Sequence, residues 1–211
     1  MEKKSSIVVT VHGNVTSAQF PEEENICIKL NVATSEDWRI ISGDHSVLSS
    51  FSFRGATSHM NIDLPFETSY KSSTPYMWPR YVFSCYSKNR SGNDCLKAYG
   101  SLFVPTTPGR HLKRVYCFLP EPSSMIQRIT ARIRELNAEL VNPLMPGFSD
   151  GRHALRVTSK GYLDIEINIS IKCTDTSLQF TSMSHNTTPS STSNLNNSDG
   201  SDDQVLENII K

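Results

Sequence analysis

The chain has 211 residues and a mass of 23.6 kDa, and its 21 basic and 21 acidic side chains give a formal net charge of zero at pH 7. This length can bury one sizeable core, with room for a small appendage. The balanced charge argues against nucleic-acid binding, which usually shows a basic excess, and against attachment to anionic lipid by charge alone.

The first residues do not have the pattern of a secretory signal peptide. The apolar run 7–11 is interrupted by Thr10 and closes at His12 and Gly13, and no small-residue cleavage site follows it. No apolar run elsewhere approaches the length of a membrane span. The five cysteines are odd in number and form no C-x-x-C pair, as is typical of buried thiols in a reducing compartment. We therefore expect a soluble, cytoplasmic protein.

Alternation of apolar and polar residues, the pattern of a strand with one buried face, recurs along most of the chain. It is clearest at 161–172, GYLDIEINISIK, where leucine and four isoleucines occupy every second position. Weaker versions occur at 6–12, 25–33, 47–53, 60–64, 81–86, 96–104 and 112–119. About eight short strands with tight turns predict an all-β antiparallel sandwich or barrel.

One segment has helical periodicity instead. The capping box of Ser124 and Gln127 begins a stripe whose apolar residues recur at intervals of three and four. The stripe consists of Ile126, Ile129, Ile133, Leu136 and Leu140. We expect an inserted amphipathic helix at about 123–140 that covers one side or end of the sandwich. The alternative is that the stripe, or the face carrying Arg128 and Arg132, contacts a partner or a membrane.

The composition changes near the end of the last predicted strand. From 174 to 204 more than half of the residues are Ser, Thr or Asn, and large apolar side chains are almost absent. Such a segment cannot bury enough surface to offset its ordering entropy. We therefore predict one folded domain over residues 1–172 and a disordered Ser/Thr/Asn-rich tail over residues 173–211.

The stretch 89–111, NRSGNDCLKAYGSLFVPTTPGRH, contains groups that could bind a metal or attack a substrate, but their spacing does not support either role. Calcium needs several converging carboxylates, and this loop offers only Asp94. A Cys95–His111 nucleophile pair has no third orienting group. Zinc would need four ligands whose spacing matches no familiar zinc motif: Cys85, Cys95, His111 and Cys117. We expect no metal, no cofactor and no enzymatic activity.

The same stretch has a structural interpretation. Gly92 and Asp94 supply a turn between two strands, and Gly100 allows a bulge or close packing in the second strand. Pro105 ends that strand, and TTPG (106–109) makes a second turn.

Five blocks of this sequence carry a resemblance to a known family. The blocks are GNVTSAQFP (13–21), YKSSTPYMWP (70–79), GNDCLKAYGSLFVPTTPGRH (92–111), FLPEP (118–122) and SKGYLDIEINI (159–169). They extend from about residue 13 to residue 171, and the combination of TPYxWP, GxD…YG and PxxPGRH resembles the B9 domain family.

The resemblance implies a C2-like antiparallel β-sandwich without calcium-binding aspartates and without catalytic residues. It implies Trp78–Pro79 as a buried strand start, Pro108–Gly109 as a turn and Gly100 as a close-packing position. It also implies a component of the Meckel-syndrome (tectonic-like) complex at the ciliary transition zone and basal body, associated with the cytoskeleton of the cilium. There, B9 proteins associate with one another and with transition-zone membrane proteins, and they support cilium assembly and the gating of membrane-protein entry.

Two functional hypotheses follow. The first is a non-enzymatic scaffold that binds other B9-domain proteins through the edges or faces of its sandwich. The second is a calcium-independent phospholipid-binding module at the ciliary base that uses the sequence GRHLKR (109–114) or the helix. Its candidate membrane contacts in that sequence are Arg110, Lys113 and Arg114.

Overall fold

Ten antiparallel strands build the part of the chain that the computed structural model describes, namely residues 6–89, 91–121, 129, 137, 139–148 and 156–174. The first five strands are β1 (Ile7–Gln19), β2 (Asn25–Ala33), β3 (Arg39–Gly43), β4 (Ser46–Leu48) and β5 (Ser52–Phe53). The other five are β6 (Met60–Ser72), β7 (Arg80–Lys88), β8 (Asp94–Phe103), β9 (Gly109–Pro120) and β10 (Val157–Cys173). A single 3₁₀ turn, Met145–Gly147, is also present among the described residues.

The strands follow the order β3-β6-β1-β10-β9-β8-β7-β2-β4, and β5 pairs with β2. Between β8 and β9, the ladder is reduced to the pair Tyr99 and Phe118, so the sheet curls at this point. The two halves then face each other across a shared core, where the rings of Phe66 on β6 and Tyr81 on β7 meet edge to face at 4.8 Å. The all-β antiparallel prediction is confirmed.

β1 and β10 lie at the centre of one half of the sheet and supply much of the core. The isoleucines and leucine that alternate along β10 are buried between residues 163 and 169, as their spacing predicted. β1 runs between β10 and β6, and Gly13 of β1 lies opposite Phe66 of β6. A β-carbon at Gly13 would overlap the Phe66 ring, so the ring occupies the space that the glycine leaves open.

Asn137 and the residues around the 3₁₀ turn, which precede β10 in the chain, contact the outer face of β7 and β8. Asn137 donates its side-chain amide to the carbonyl of Leu96 at 2.7 Å. Gly147 approaches β7 so closely that a β-carbon there would lie 2.8 Å from Val82. β7 is therefore buried on both faces, which explains why its sequence RYVFSCY is nearly continuous in apolar residues instead of alternating.

The region between β2 and β6 differs from the prediction. The single strand expected at 47–53 is wrong: the chain forms two short strands, β4 and β5, interrupted at Ser49. The hydroxyl of Ser49 accepts a hydrogen bond from the Ile28 amide at 2.8 Å, in the place of a backbone carbonyl, and this interrupts the ladder. β3 was not predicted; its five residues lie beside the end of β6.

The helix predicted at about 123–140 falls almost entirely outside the described residues and stays a prediction. Of that range the structure describes only residues 129, 137, 139 and 140, and Arg128 and Arg132 lie outside the described residues. The predicted tail, 173–211, also lies outside them apart from its first two residues. Cys173 is the last residue of β10, and the amide of Thr174 donates to the carbonyl of Ser6 at 2.9 Å. The boundary between domain and tail stays a prediction.

Candidate interaction surface

The outer face of β9 and β10 carries two of the three predicted cationic contact residues that the structure describes. Side chains at every second strand position point away from the core. We define the β9–β10 outer face by the following residues: Arg110, Leu112, Arg114 and Tyr116 of β9, and Tyr162, Asp164 and Glu166 of β10. The register pairs Tyr116 with Tyr162, Arg114 with Asp164 and Leu112 with Glu166. Residues far apart in the sequence are thus brought into one surface.

Arg114 is held by two contacts on this face. Its Nε and Nη2 donate to the two carboxylate oxygens of Asp164 at 2.8 and 3.1 Å, in the bidentate geometry that suits a guanidinium group. Its guanidinium also lies 4.0 Å from the ring centroid of Tyr162. The hydrogen bond from Arg114 lowers the pKa of Asp164 below its ordinary value.

Arg110 is paired in the same way, and Lys113 is not. The Nε of Arg110 donates to Glu166 Oε1 at 2.6 Å, and this hydrogen bond lowers the pKa of the Glu166 carboxyl. Lys113 is exposed, and within the described ranges it makes no ion pair. Two of the three predicted cations therefore have their charge balanced by carboxylates of β10, so GRHLKR does not form a strongly basic patch.

The two large apolar residues of β9 on this face were not predicted as site residues. Leu112 is 73% exposed and Tyr116 is 71% exposed, although the other face of the same strand buries Val115 and Cys117. The ring of Tyr116 meets that of Tyr162 edge to face at 6.4 Å. The sequence does show that residues 112 and 116 lie on the same face of the strand as Arg114, because they are two positions apart from it. Only the folded structure shows that this face points outward.

A second candidate surface is the groove beside the loop between β6 and β7, which we call the 75–78 groove. It has a volume of about 360 Å³ and is lined by this loop together with Arg80, Phe103 and Phe148. Tyr76 is 72% exposed at its rim. The loop is held from below, since Trp38 donates its indole N–H to the Tyr76 carbonyl at 2.7 Å.

The predicted strand start lies under the same groove. Trp78 is buried, and its ring packs edge to face against Trp38 with a centroid distance of 4.8 Å. The carbonyl of Pro79 accepts a hydrogen bond from the Val104 amide at 3.2 Å, which ties the start of β7 to the residue that follows β8.

The predicted turn residues lie at the two ends of β8. Gly92 adopts a positive φ of 79° in the loop between β7 and β8, and its amide donates to the Asn89 carbonyl at 2.9 Å. Asp94 begins β8 opposite Lys88. At the other end Pro105 follows β8 and Pro108 precedes β9, whose first residue, Gly109, has a φ of 115°.

Gly100 lies in the middle of β8 and faces β9 across the core. A β-carbon at Gly100 would lie 3.0 Å from both the Cys117 sulfur and a methyl group of Val115, closer than ordinary van der Waals contact. The absence of a side chain here lets the two halves of the sheet approach each other near the corner.

The residues considered for chemistry do not form a reactive centre. Cys95 is buried at the start of β8, whereas the His111 Nε2–H donates to the Thr107 carbonyl at 2.9 Å beyond the other end of that strand. The length of β8 separates them by about 25 Å. A hydrogen bond with Cys117, together with burial, raises the pKa of Cys85 well above its ordinary value, which opposes the thiolate that zinc requires. Across the described ranges no three potential metal ligands come together.

The described part of the chain contains no helix with the length and apolar character needed to cross a bilayer.

Comparison with known proteins assigns the chain to a family. A family profile described as "Ciliary basal body-associated, B9 protein" matches residues 9–170. The chain is 32% identical over 170 residues to B9 domain-containing protein 1 of Xenopus laevis, covering 80% of this chain and 86% of that protein. The human protein of the same name is 31% identical over 170 residues, covering 80% and 83%. B9 domain-containing protein 2 of Drosophila melanogaster is 22% identical over 161 residues, covering 76% and 91%.

Among solved structures, a C2 domain of plant Extended Synaptotagmin 1 is similar with a TM-score of 0.38 and 12% identity, covering 76% of this chain and 93% of that one. The predicted family resemblance is confirmed by the profile match and by the relatives. The chain belongs to the ciliary basal body-associated B9 family.

Proposed function

We propose that this protein is a non-enzymatic scaffold component of the Meckel-syndrome complex at the ciliary transition zone. In this role it binds other B9-domain proteins and supports cilium assembly and the gating of ciliary membrane-protein entry. The observation that carries the proposal is the B9 match over residues 9–170, which includes nearly every described residue.

The geometry of the described residues supports a binding role over a catalytic one. The thiol and the imidazole that could have formed a nucleophile pair lie at opposite ends of β8. The four cysteines of the core strands are buried. Burial raises the pKa of Cys27, and a hydrogen bond with Cys117 raises the pKa of Cys85, which opposes the thiolate form of these two residues. The exposed features are apolar and aromatic side chains on a sheet face and beside a groove, which are typical of interaction surfaces.

The alternative, a calcium-independent phospholipid-binding module at the ciliary base, has weaker support. Binding to anionic lipid draws on several unpaired cations near the membrane surface, each contributing about 1 kcal/mol. Arg110 and Arg114 are already paired with carboxylates, which leaves Lys113 as the unpaired cation of GRHLKR within the described residues.

Co-expression with the other B9-domain proteins of the same organism tests the proposal. We expect the proteins to co-purify through size-exclusion chromatography, and the tagged chain to concentrate at the ciliary base of its own ciliated cells. A monomer that shows no association at micromolar concentration, or a tagged protein spread evenly through the cell, would contradict it. Salt-sensitive sedimentation with phosphatidylserine vesicles would favour the lipid-binding alternative instead.

A further inference from the structure

We infer that the chain binds its protein partner through the β9–β10 outer face and not through a strand edge, and that the surface it accepts is a folded protein face with apolar side chains and no net charge. The inference rests on the proposed function, because it assigns a surface to the partner binding proposed there. It goes beyond that function by choosing among the edges, the groove and the faces of the sandwich.

The two ends of the strand order are poorly suited to pair with another chain. β3 ends one side of the strand order with five residues, and β4 and β5 end the other with three and two. The part of β6 that β3 leaves uncovered contains Pro65, which has no N–H to donate, and Asp63, whose φ of 53° breaks the extended backbone. Short strands, proline and local kinks are the devices that prevent edge-to-edge pairing.

The β9–β10 outer face, by contrast, presents apolar surface on a rigid support. Leu112 and Tyr116 are each more than two-thirds exposed, which leaves their apolar surface in contact with water. The Arg114 guanidinium stacks on Tyr162, and Tyr162 in turn contacts Tyr116, so the rings are held in place before any partner arrives. Preorganised aromatic and arginine side chains at the centre of a surface are the groups that contribute most to protein–protein binding.

The charges of this face indicate which kind of surface fits it. Its two guanidinium groups are paired with its two carboxylates, so these four groups add no net charge. A phosphate-rich partner, whether lipid or nucleic acid, would have to compete with Asp164 and Glu166 for the same arginines. A neutral apolar protein face covers Leu112 and the tyrosines while leaving both ion pairs intact, so it avoids the cost of an unpaired buried charge.

Residues of similar exposure at other places provide matched controls. Phe53 is 68% exposed on the edge strand β5, and Tyr76 is 72% exposed at the 75–78 groove. The double variant Leu112→Ser/Tyr116→Ser removes the apolar groups of the face. Phe53→Ser and Tyr76→Ser remove comparable groups at an edge and at the groove. All of these side chains are exposed, so we expect each variant to be about as stable as the unaltered protein. Urea unfolding midpoints check that each variant is folded.

Each variant is co-expressed with the other B9-domain proteins of the same organism, and the affinity of the purified proteins is measured by titration calorimetry. We expect the face variant to bind at least about tenfold more weakly, the loss typical of truncating central interface residues. Phe53→Ser and Tyr76→Ser should bind as the unaltered protein does.

The ways in which the inference can fail are distinguishable. If the unaltered protein binds and the face variant binds equally well, the assignment of the surface is wrong while the proposed function stands. A loss confined to Phe53→Ser or to Tyr76→Ser would overturn the inference in favour of the edge or the groove. If the unaltered protein does not associate at all, the proposed function fails and this inference fails with it. Phosphatidylserine vesicles that bind the unaltered protein but not the face variant would show that the face accepts lipid, contrary to the inference.

Discussion

Replacing Gly13 with alanine should destabilise the domain, because the Phe66 ring fills the space where the new methyl group would lie. The added carbon would be 2.6 and 2.8 Å from the two ε carbons of the ring and closer still to its ζ carbon. Ordinary contacts between carbon atoms are about 3.5–4.0 Å, so the ring would have to move by about 1 Å or more. It cannot do so freely, since it is buried and its other side packs against Tyr81.

The expected cost follows from this geometry. Forcing one extra methyl group into a well-packed core costs about 1–3 kcal/mol. For a domain of this size each kcal/mol lowers the melting temperature by about 2–4 °C, so Gly13→Ala should melt about 2–12 °C below the unaltered protein. The same loss should be seen as a lower urea midpoint with an unchanged slope.

Gly55 provides the matched control. A β-carbon there meets no atom within 4 Å, so Gly55→Ala should leave the urea midpoint nearly unchanged. Phe66→Leu shortens the side chain that Gly13→Ala would overlap, so the double variant should be more stable than the sum of the two single costs implies. A normal midpoint for Gly13→Ala, or strictly additive costs in the double variant, would refute the reasoning.

Three further outcomes are expected. The Arg114 hydrogen bond holds the pKa of Asp164 below its ordinary value of 3.8, so this group stabilises the folded state above that pH, and the stabilisation is lost as the pH falls through the lowered pKa. Arg114→Gln should raise the pKa of Asp164, measured by carboxyl ¹³C NMR, and make the stability less sensitive to acid; an unchanged titration would contradict the pairing. A maleimide should label Cys173 rapidly while the four buried cysteines react only after unfolding, and rapid labelling at two or more cysteines in mass spectrometry would count against the core described here. Trp38→Phe removes the hydrogen bond to the Tyr76 carbonyl and should lower the free energy of unfolding by about 1 kcal/mol; equal urea midpoints would show that this bond does not stabilise the loop.

A strand could be predicted from the sequence where one of its faces is buried and the other is exposed, because its apolar and polar residues then alternate. β10 has a buried face and an outer face, and its alternating isoleucines gave its position directly. β2 was predicted over residues 25–33, the range it occupies. β4 and β5 could not be predicted as separate strands, because their interruption depends on the Ser49 hydroxyl meeting the Ile28 amide of another strand. Nothing in the local pattern of 47–53 shows that contact.

The candidate surface was less predictable than the fold, because it too depends on contacts between strands that are distant in the sequence. The sequence GRHLKR indicated a cluster of cations, and the structure shows that Arg110 and Arg114 are balanced by Glu166 and Asp164. These carboxylates are 50 or more residues away in the chain, and they meet the arginines only through the register of β9 against β10. A pattern within one strand cannot reveal the charges of its neighbour, so a basic motif was predicted where two of the three cations are balanced by carboxylates of β10.

The pairing of β1 with β10 also governs how the protein is made. Ile7 lies opposite Cys173, so the centre of the sheet closes only when both have left the ribosome. At about 5–20 residues per second, translation separates them by on the order of 10–30 s. During that time β1 lacks its neighbour β10, so the nascent chain exposes apolar strand residues that favour aggregation. Premature stop codons upstream of β10 should therefore yield aggregated or degraded chains instead of a smaller stable domain.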